Sequence, residues 1–407
     1  MYVHRIIEDY ITSASEKFPV LLLTGARQVG KTTLLKHLAG PKRIYVTLDD
    51  PRIRALAVDD PALFLQRFPP PVLIDEIQYA PQLFPYIKMS VDKQRWPGRF
   101  WLTGSQKFHM MKELSETLAG RVAVVELPGF SRRELPGNHP CSDPFLPFGE
   151  SLEQRIESAS PLSLKELYRL IWRGSFPEMA LREDMDAGLF FSSYVQTYLQ
   201  RDVRDLANVG DEMSFLRFVR AAAARTAQLV NYENLARAAD VSQPTAKRWL
   251  SILRASGCVY LLEPWRSNIM KRAIKSPKLY FSDTGLCSWL LEWTSPETLE
   301  AGAMSGAMLE TWAINEIVKS YQNRGIRPPL YFYRDREKRE IDLLIVRNGK
   351  YYPVEIKKSA SPDKGDVKRF SVLKKLNLQP GPGAVISLVD EPLPLTKTVN
   401  ALPVGIL

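Results

Sequence analysis

A chain of 407 residues is too long for one ordinary domain and predicts two or three. With 45% hydrophobic and 25% charged residues it is excluded from the disordered and fibrous classes, and no apolar run approaches the ~18 residues of a spanning helix. The net charge of +10 permits attraction to a polyanion without naming one. The three cysteines, Cys141, Cys258 and Cys287, lie far apart without a CxxC, which excludes a disulfide framework and a zinc site and predicts buried thiols. The opening segment MYVHRIIEDYITSASEKF lacks a signal peptide's basic start, apolar run and small-residue cleavage site, so the expected location is cytoplasmic, with no membrane partner.

The apolar run Val20 to Leu23 leads into Gly25-Ala26-Arg27-Gln28-Val29-Gly30-Lys31-Thr32, and helical sequence follows from Thr33. Strand, glycine-rich loop and helix in that order make a phosphate cradle. Glycines at Gly25 and Gly30 let backbone N–H groups point inward, and the helix start adds its positive dipole end. Lys31 then reaches the β- and γ-phosphates of ATP, and the Thr32 hydroxyl can ligate Mg²⁺. Downstream, Pro71-Val72-Leu73-Ile74-Asp75-Glu76 reads as a buried strand ending in two carboxylates. Asp75 is expected to hold Mg²⁺ through water and Glu76 to orient or deprotonate the attacking water; the plainer alternative is that both merely cap a strand.

A third strand, Arg99 to Leu102, ends in Thr103-Gly104-Ser105-Gln106, which places Ser105 first and Thr103 second as the residue sensing the γ-phosphate. Strands at Arg43 to Leu48 and Arg121 to Leu127 complete about five parallel strands, predicting an α/β P-loop ATPase domain over residues 1–130. Arg121 is a candidate arginine finger across a subunit boundary or, equally, a solvated arginine.

Residues 131–160 are rich in Pro, Ser and charge and predict a surface loop or linker. Amphipathic stretches at Leu162 to Trp172 and Phe190 to Leu206 predict a small helical lid within 131–213. There Arg201 and Asp202 form a surface ion pair or read the nucleotide state. Over 214–290, a helix at Asn231 to Ala239, a turn, a second helix at Gln243 to Ala255 capped by Ser242, and two strand-like runs flanking a basic segment predict a winged helix. Between Arg237 and Lys278 nine basic residues (Arg237, Lys247, Arg248, Arg254, Arg266, Lys271, Arg272, Lys275 and Lys278) face two acidic ones, Asp240 and Glu263. That balance makes nucleic acid, DNA favoured, the expected partner; a protein interface is the alternative.

Over 291–407, a helix at Gly306 to Lys319 bears Glu310 and Glu316. It precedes a hairpin: Glu340 to Val346, a turn at Asn348-Gly349, and Tyr351 to Lys358. Alternation puts Glu355 and Lys357 on one face, with Asp342 near them on the partner strand. Asp342 and Glu355, completed by Glu310, form an expected Mg²⁺ cage, with Lys357 stabilising charge or helping to activate water. The D…ExK spacing resembles the PD-(D/E)xK nuclease motif, although Ile341 stands where the motif's proline precedes its aspartate.

With both ends read, nearly the whole chain resembles the AAA-type (ASCE) P-loop ATPases of bacteria and archaea that carry a winged helix and a restriction-endonuclease-like C-terminal domain of unknown function. GARQVGKTTL (Gly25 to Leu34), LIDEIQ (Leu73 to Gln78), LTGSQ (Leu102 to Gln106), LAGR (Leu118 to Arg121), YFSDTGL (Tyr280 to Leu286), EIDLLI and VEIKKS carry the resemblance. It implies an ATPase whose substrate is unassigned, and the habit of related ATPases implies a homo-oligomer. The leading expectation is an ATP-dependent enzyme acting on nucleic acid with a Mg²⁺-dependent nuclease-like domain. The alternative is a nucleotide-controlled switch or protein remodeller whose last domain only binds.

Overall fold

The computed structural model describes residues 2–104, 117–136, 143–199, 212–265, 275–376 and 378–407. The chain divides into two compact units. One is Met1–Gly129 with the short segments Ala255–Gly257 and Gln322–Gly325; the other is Phe130–Arg254, Cys258–Tyr321 and Ile326–Leu407.

In the first unit, β1 (Val20–Thr24), β2 (Ile44–Thr47), β3 (Val72–Asp75), β4 (Phe100–Thr103) and β5 (Val122–Glu126) form a sheet in the order β2-β3-β4-β1-β5. All its pairings are parallel, in keeping with the sequence pattern. Every residue of β1, β3 and β4 is buried, because crossover helices cover both faces of a parallel sheet. The edge strands are less protected: Ile44, Tyr45 and Val124 are exposed. One face of the sheet packs Val20, Leu22, Ile74, Phe100 and Leu102 against Phe84 and Ile87 of the helix Leu83–Lys93. Helices Pro51–Asp59 and Pro61–Arg67 each start on a proline whose missing N–H costs nothing there. Asp50 and Asp60 cap them, accepting from the backbone N–H groups of Arg52 and Leu63 respectively.

The second unit opens with helices Glu150–Glu157, Leu164–Arg173 and Pro177–Leu181. Helix Ala187–Tyr194 continues into a π-helical turn over Val195–Leu199. Arg201 and Asp202 lie outside the described residues. The stretch expected to be a surface loop is instead packed where it is described. Ser131, Arg132, Arg133 and Glu134 are buried, as are Phe145 and Leu146. Proline prevents regular backbone pairing there but not burial, and the guanidinium of Arg133 satisfies the carbonyls of Arg155 and Ile406 at 3.0 and 2.8 Å.

Helices Glu212–Ala223, Tyr232–Ala239 and Gln243–Ala255 follow, with an antiparallel sheet of β6 (Gln228–Leu229), β7 (Val259–Leu262) and β8 (Lys278–Phe281) in the order β6-β8-β7. Ala246, Trp249, Leu250 and Leu253 bury one face of Gln243–Ala255, while Lys247, Arg248, Ser251 and Arg254 are exposed on the other. Asp283 starts the next helix, Thr284–Leu290, and also accepts from Ser175 N–H and Oγ at 2.6 and 2.8 Å. Gly174, at φ +78°, permits that approach, since a Cβ there would lie 2.4 Å from the Asp283 carboxylate. Cys258 and Cys287 are buried; Cys141 lies outside the described residues.

Helix Ser305–Gln322 precedes a seven-stranded mixed sheet of β9 (Leu330–Arg334), β10 (Glu340–Arg347), β11 (Lys350–Ile356), β12 (Gln379–Pro380), β13 (Gly383–Ser387), β14 (Leu393–Pro394) and β15 (Val399–Pro403). β10 and β11 form the expected hairpin, closed by Asn348 and Gly349 at φ +50° and +72°, as a two-residue turn of that kind requires. β11 also pairs in parallel with β13, and β13 with β15. No helix among the described residues is long and apolar enough to cross a membrane.

Candidate functional sites

In the first unit, β1 runs out at Thr24 and the helix Lys31–Leu38 begins after Gly30, which adopts φ +94°. Between them the loop Gly25 to Gly30 wraps in front of the helix N-terminus. Gly25, at φ +141°, lies so close to the segment after β5 that an added Cβ would sit 2.4 Å from the Leu127 carbonyl oxygen. Ala26 and Arg27 are partly exposed, Gln28 is exposed in a left-handed conformation, Val29 is buried, and Thr33 faces solvent. Lys31 is buried, its Nζ donating to the carbonyls of Gly25 at 3.1 Å and Ala26 at 2.8 Å, so the cation is held over the loop.

Gly25→Ala is expected to lower stability by about 2 kcal/mol or more through backbone strain, and to remove the stabilisation that Mg²⁺-ATP confers. Thermal melts with and without Mg²⁺-ATP measure both effects. A variant that melts like wild type and still responds to nucleotide would contradict this account of the loop.

Asp75 ends β3, one strand away from β1 across β4. Three hydroxyls converge on its buried carboxylate. Thr32 Oγ1 donates to Oδ1 at 2.8 Å, Tyr45 Oη donates to Oδ2 at 3.1 Å, and Thr103 Oγ1 donates to Oδ1. Burial and the neighbouring Asp75 charge push the Tyr45 phenol up to about 12, so it stays a donor. Thr103 also accepts from the backbone N–H of Glu76 at 3.1 Å, tying the two strand ends together. Glu76 itself sits at φ +56° and ψ +48°, a left-handed conformation uncommon for a residue with a Cβ, and its carboxylate accepts from Gln78. Thus Thr32, Asp75, Glu76 and Lys31 lie in one neighbourhood at the carboxyl ends of parallel strands, where such sheets place ligands. The donor set fits Mg²⁺-ATP: an inward-facing lysine, a glycine loop at a helix start, and a hydroxyl beside a carboxylate.

Ser105, the first choice as sensing residue, lies outside the described residues; Thr103, the second, occupies the centre of the network. Tyr45 and Arg5 carried no sequence signal. Arg5 is buried, and its guanidinium donates to the carbonyls of Val29 at 3.3 Å, Pro128 at 2.9 Å and Gly129 at 3.2 Å, linking the loop to the segment after β5. Arg121 makes a two-pronged ion pair with Asp92 at 2.6 and 3.1 Å.

In the second unit, the hairpin register that pairs Leu343 with Val354 places Asp342 opposite Glu355. Asp342 Oδ2 accepts from the Ile356 N–H at 3.0 Å. Glu355 is 1% exposed; its Oε1 pairs with Lys357 Nζ at 2.8 Å, and its buried Oε2 has no hydrogen-bond partner among the described residues. Burial first, and then the Asp342 charge, push the Glu355 carboxyl up to about 7.

Glu310 is engaged by side chains of β8. Its Oε1 accepts from Lys278 Nζ at 3.0 Å and Tyr280 Oη at 2.6 Å, so the cation beside it is a lysine of β8. Among the described residues no three His, Cys, Asp or Glu side chains are arranged to hold a metal ion, and the carboxylates that face each other across the hairpin are Asp342 and Glu355. A pair still suits Mg²⁺, which commonly takes one or two carboxylates and completes its shell with water and substrate phosphate. The orphaned Glu355 oxygen is the atom such an ion would satisfy.

Lys278 also leaves the proposed basic footprint, because it is 2% exposed and neutralised internally by carboxylates. Arg266, Lys271 and Arg272 lie outside the described residues. Arg237, Lys247, Arg248, Arg254 and Lys275 remain exposed.

The parallel five-stranded sheet, the glycine loop at its helix and the carboxylate ending β3 define the first unit as a P-loop ATPase domain. Residues 17–136 match a family model described as an AAA domain, and residues 164–297 and 305–407 match two domains of unknown function, DUF8612 and DUF4143. The uncharacterized proteins Rv2008c of Mycobacterium tuberculosis and Mb2031c of Mycobacterium bovis are each 32% identical over 393 residues, 96% of this chain and 81% of theirs. The chain belongs to their family, P-loop ATPases of the AAA type with a C-terminal DUF4143 domain. Among solved structures it is similar to the Walker-type ATPase PABY2304 of Pyrococcus abyssi (15% identity, TM-score 0.43, 70% of this chain and 94% of that one). It is also similar to a point variant of RuvB from Thermotoga maritima (16% identity, TM-score 0.29, 62% and 88%).

Proposed function

We propose that this protein is a Mg²⁺-dependent ATP hydrolase that acts on nucleic acid, DNA by preference, and that its C-terminal domain is a restriction-endonuclease-like phosphodiesterase. In the ATPase domain, Lys31 holds the terminal phosphates, and Thr32 and Asp75 position the metal. Glu76 orients the attacking water, and Thr103 keeps Asp75 and Glu76 in register. Bound Mg²⁺-ATP supplies the electrophilic γ-phosphoryl group and a cation that offsets charge developing on it.

The helix pair Tyr232–Ala239 and Gln243–Ala255 with the sheet β6-β8-β7 reads as a winged helix. Its exposed Lys247, Arg248 and Arg254 supply phosphate contacts. In the last domain, Asp342 and Glu355 hold Mg²⁺ and Lys357 stabilises charge at the scissile phosphate. The observation that carries this reading is the buried Glu355 oxygen, opposite Asp342, that lacks a hydrogen-bond partner among the described residues. Homo-oligomerisation and a cytoplasmic location belong to the same proposal.

One observation favours a second reading, a nucleotide-controlled switch or protein remodeller whose C-terminal domain only binds: Glu310 is engaged by Lys278 rather than left for a metal. The two readings part in one assay. Wild type, Lys31→Ala and Asp342→Asn are incubated with plasmid, linear and branched DNA, with and without ATP and Mg²⁺, and phosphate release and strand cleavage are followed together. The nuclease reading expects Asp342→Asn to lose cleavage while hydrolysing ATP normally, and Lys31→Ala to lose hydrolysis. If no substrate is cut and none stimulates hydrolysis, the switch reading takes its place.

A further inference from the structure

Lys278 projects from β8 into the acidic end of the β9-β10-β11 sheet. Its Nζ lies 3.0 Å from Glu310 Oε1, 2.5 Å from Glu340 Oε1 and 3.7 Å from Asp342 Oδ1. One buried ammonium with three N–H donors therefore faces three carboxylates drawn from a helix and a strand. Tyr280, two residues along β8 on the same face, donates a second hydrogen bond to the Glu310 oxygen that Lys278 already holds. Glu340 is held from its other oxygen by Arg334 Nη1 at 2.8 Å. Two carboxylates beside the Asp342–Glu355 pair are thus already neutralised by the protein's own cations. Among the described residues Glu355 Oε2 has no hydrogen-bond partner.

We propose that Lys278 is a positioning residue that occupies the place a second divalent ion would take between Glu310 and Asp342, restricting the C-terminal site to one ion held by Asp342 and Glu355. The inference rests on the metal-site reading above and extends it to the number of ions. In a two-metal site, cations clamp both the attacking and the leaving oxygen. Here a fixed ammonium stands in one position, so a single divalent ion works beside a permanent charge. Lys278 also keeps Glu310 from joining the divalent ion's ligands, which leaves coordination positions for water and phosphate oxygens.

The test counts Mn²⁺ ions bound to the nucleotide-free full-length chain by electron paramagnetic resonance, in an Asp75→Asn background that removes the ATPase-domain ligand. The expected count is one per chain, lost in Glu355→Gln and retained in Glu310→Gln. Lys278→Met should bind a second ion, or bind Mn²⁺ at least tenfold more tightly, whereas Lys278→Arg should match the parent. Mn²⁺ should raise the melting temperature of Lys278→Met by more than that of the parent. A purely structural role would lower stability without changing the ion count, so one ion at parental affinity in Lys278→Met overturns the inference. If that variant does not fold, the parent decides: two ions in the parent overturn the inference, and one ion with the stated responses to Glu355→Gln and Glu310→Gln supports it. If the parent binds none, or its ion survives Glu355→Gln, the metal-site reading itself fails and takes this inference with it.

Discussion

Glu76→Gln is expected to lower ATP turnover by about 10²-fold or more while nucleotide binding persists. The amide keeps the size of the side chain but can neither accept a proton nor attract one from water. The proposed binding elements lie elsewhere, in the loop Gly25 to Gly30, Lys31 and the Thr32–Asp75 pair. The backbone supports the assignment. Glu76 holds a left-handed conformation and its N–H is fixed by Thr103, so the strand end turns the carboxylate by geometry that a simple cap does not need. Steady-state phosphate release and equilibrium binding of a fluorescent ATP analogue separate the two quantities. Turnover within a few-fold of wild type would mean that another group handles the water.

The second large effect is expected in Glu355→Gln. Metal-dependent cleavage should fall by at least about 10²-fold, because the substitution removes one of only two carboxylates proposed to hold the ion. ATP hydrolysis in the same preparation should be unchanged, which separates loss of chemistry from loss of folding. The metal-free variant should fold at least as well as wild type. In wild type, burial and the charge of Asp342 already push the Glu355 carboxyl up to about 7, so a neutral amide relieves that repulsion. Circular dichroism melts in chelator, set against the cleavage rates, check this pairing. A variant that cleaves normally would remove Glu355 from the ion's shell.

The candidate nucleotide site was legible where its parts are consecutive. Gly25 and Gly30 bound one loop and Lys31 and Thr32 open the helix that follows it, because a phosphate cradle must be built from adjacent backbone, and Asp75 ends a strand whose apolar run announces it. The hairpin was legible for the same reason: Asn348-Gly349 sets the register, and the register places Asp342 opposite Glu355.

What stayed hidden depends on contacts between distant segments. Lys278 read as part of a basic surface because it closes a stretch dominated by lysine and arginine; its partner Glu310 is 32 residues away on another element. Arg132 and Arg133 fall in the stretch read as a surface loop or linker, yet carbonyl groups from the far end of the chain give Arg133 a reason to be buried. Composition reports the cost of burying a charge; only the fold reveals what offsets it.

Arg5 has a practical consequence for fragment design. The AAA-domain match begins at residue 17, and a fragment trimmed to that boundary would look complete, since it keeps the phosphate loop and all five strands. It would nevertheless lack the guanidinium that bridges the carbonyl of Val29 to those of Pro128 and Gly129. A minimal ATPase fragment therefore has to start upstream of Arg5, because a buried cation supplied from ahead of the matched region ties the loop to the far edge of its own domain.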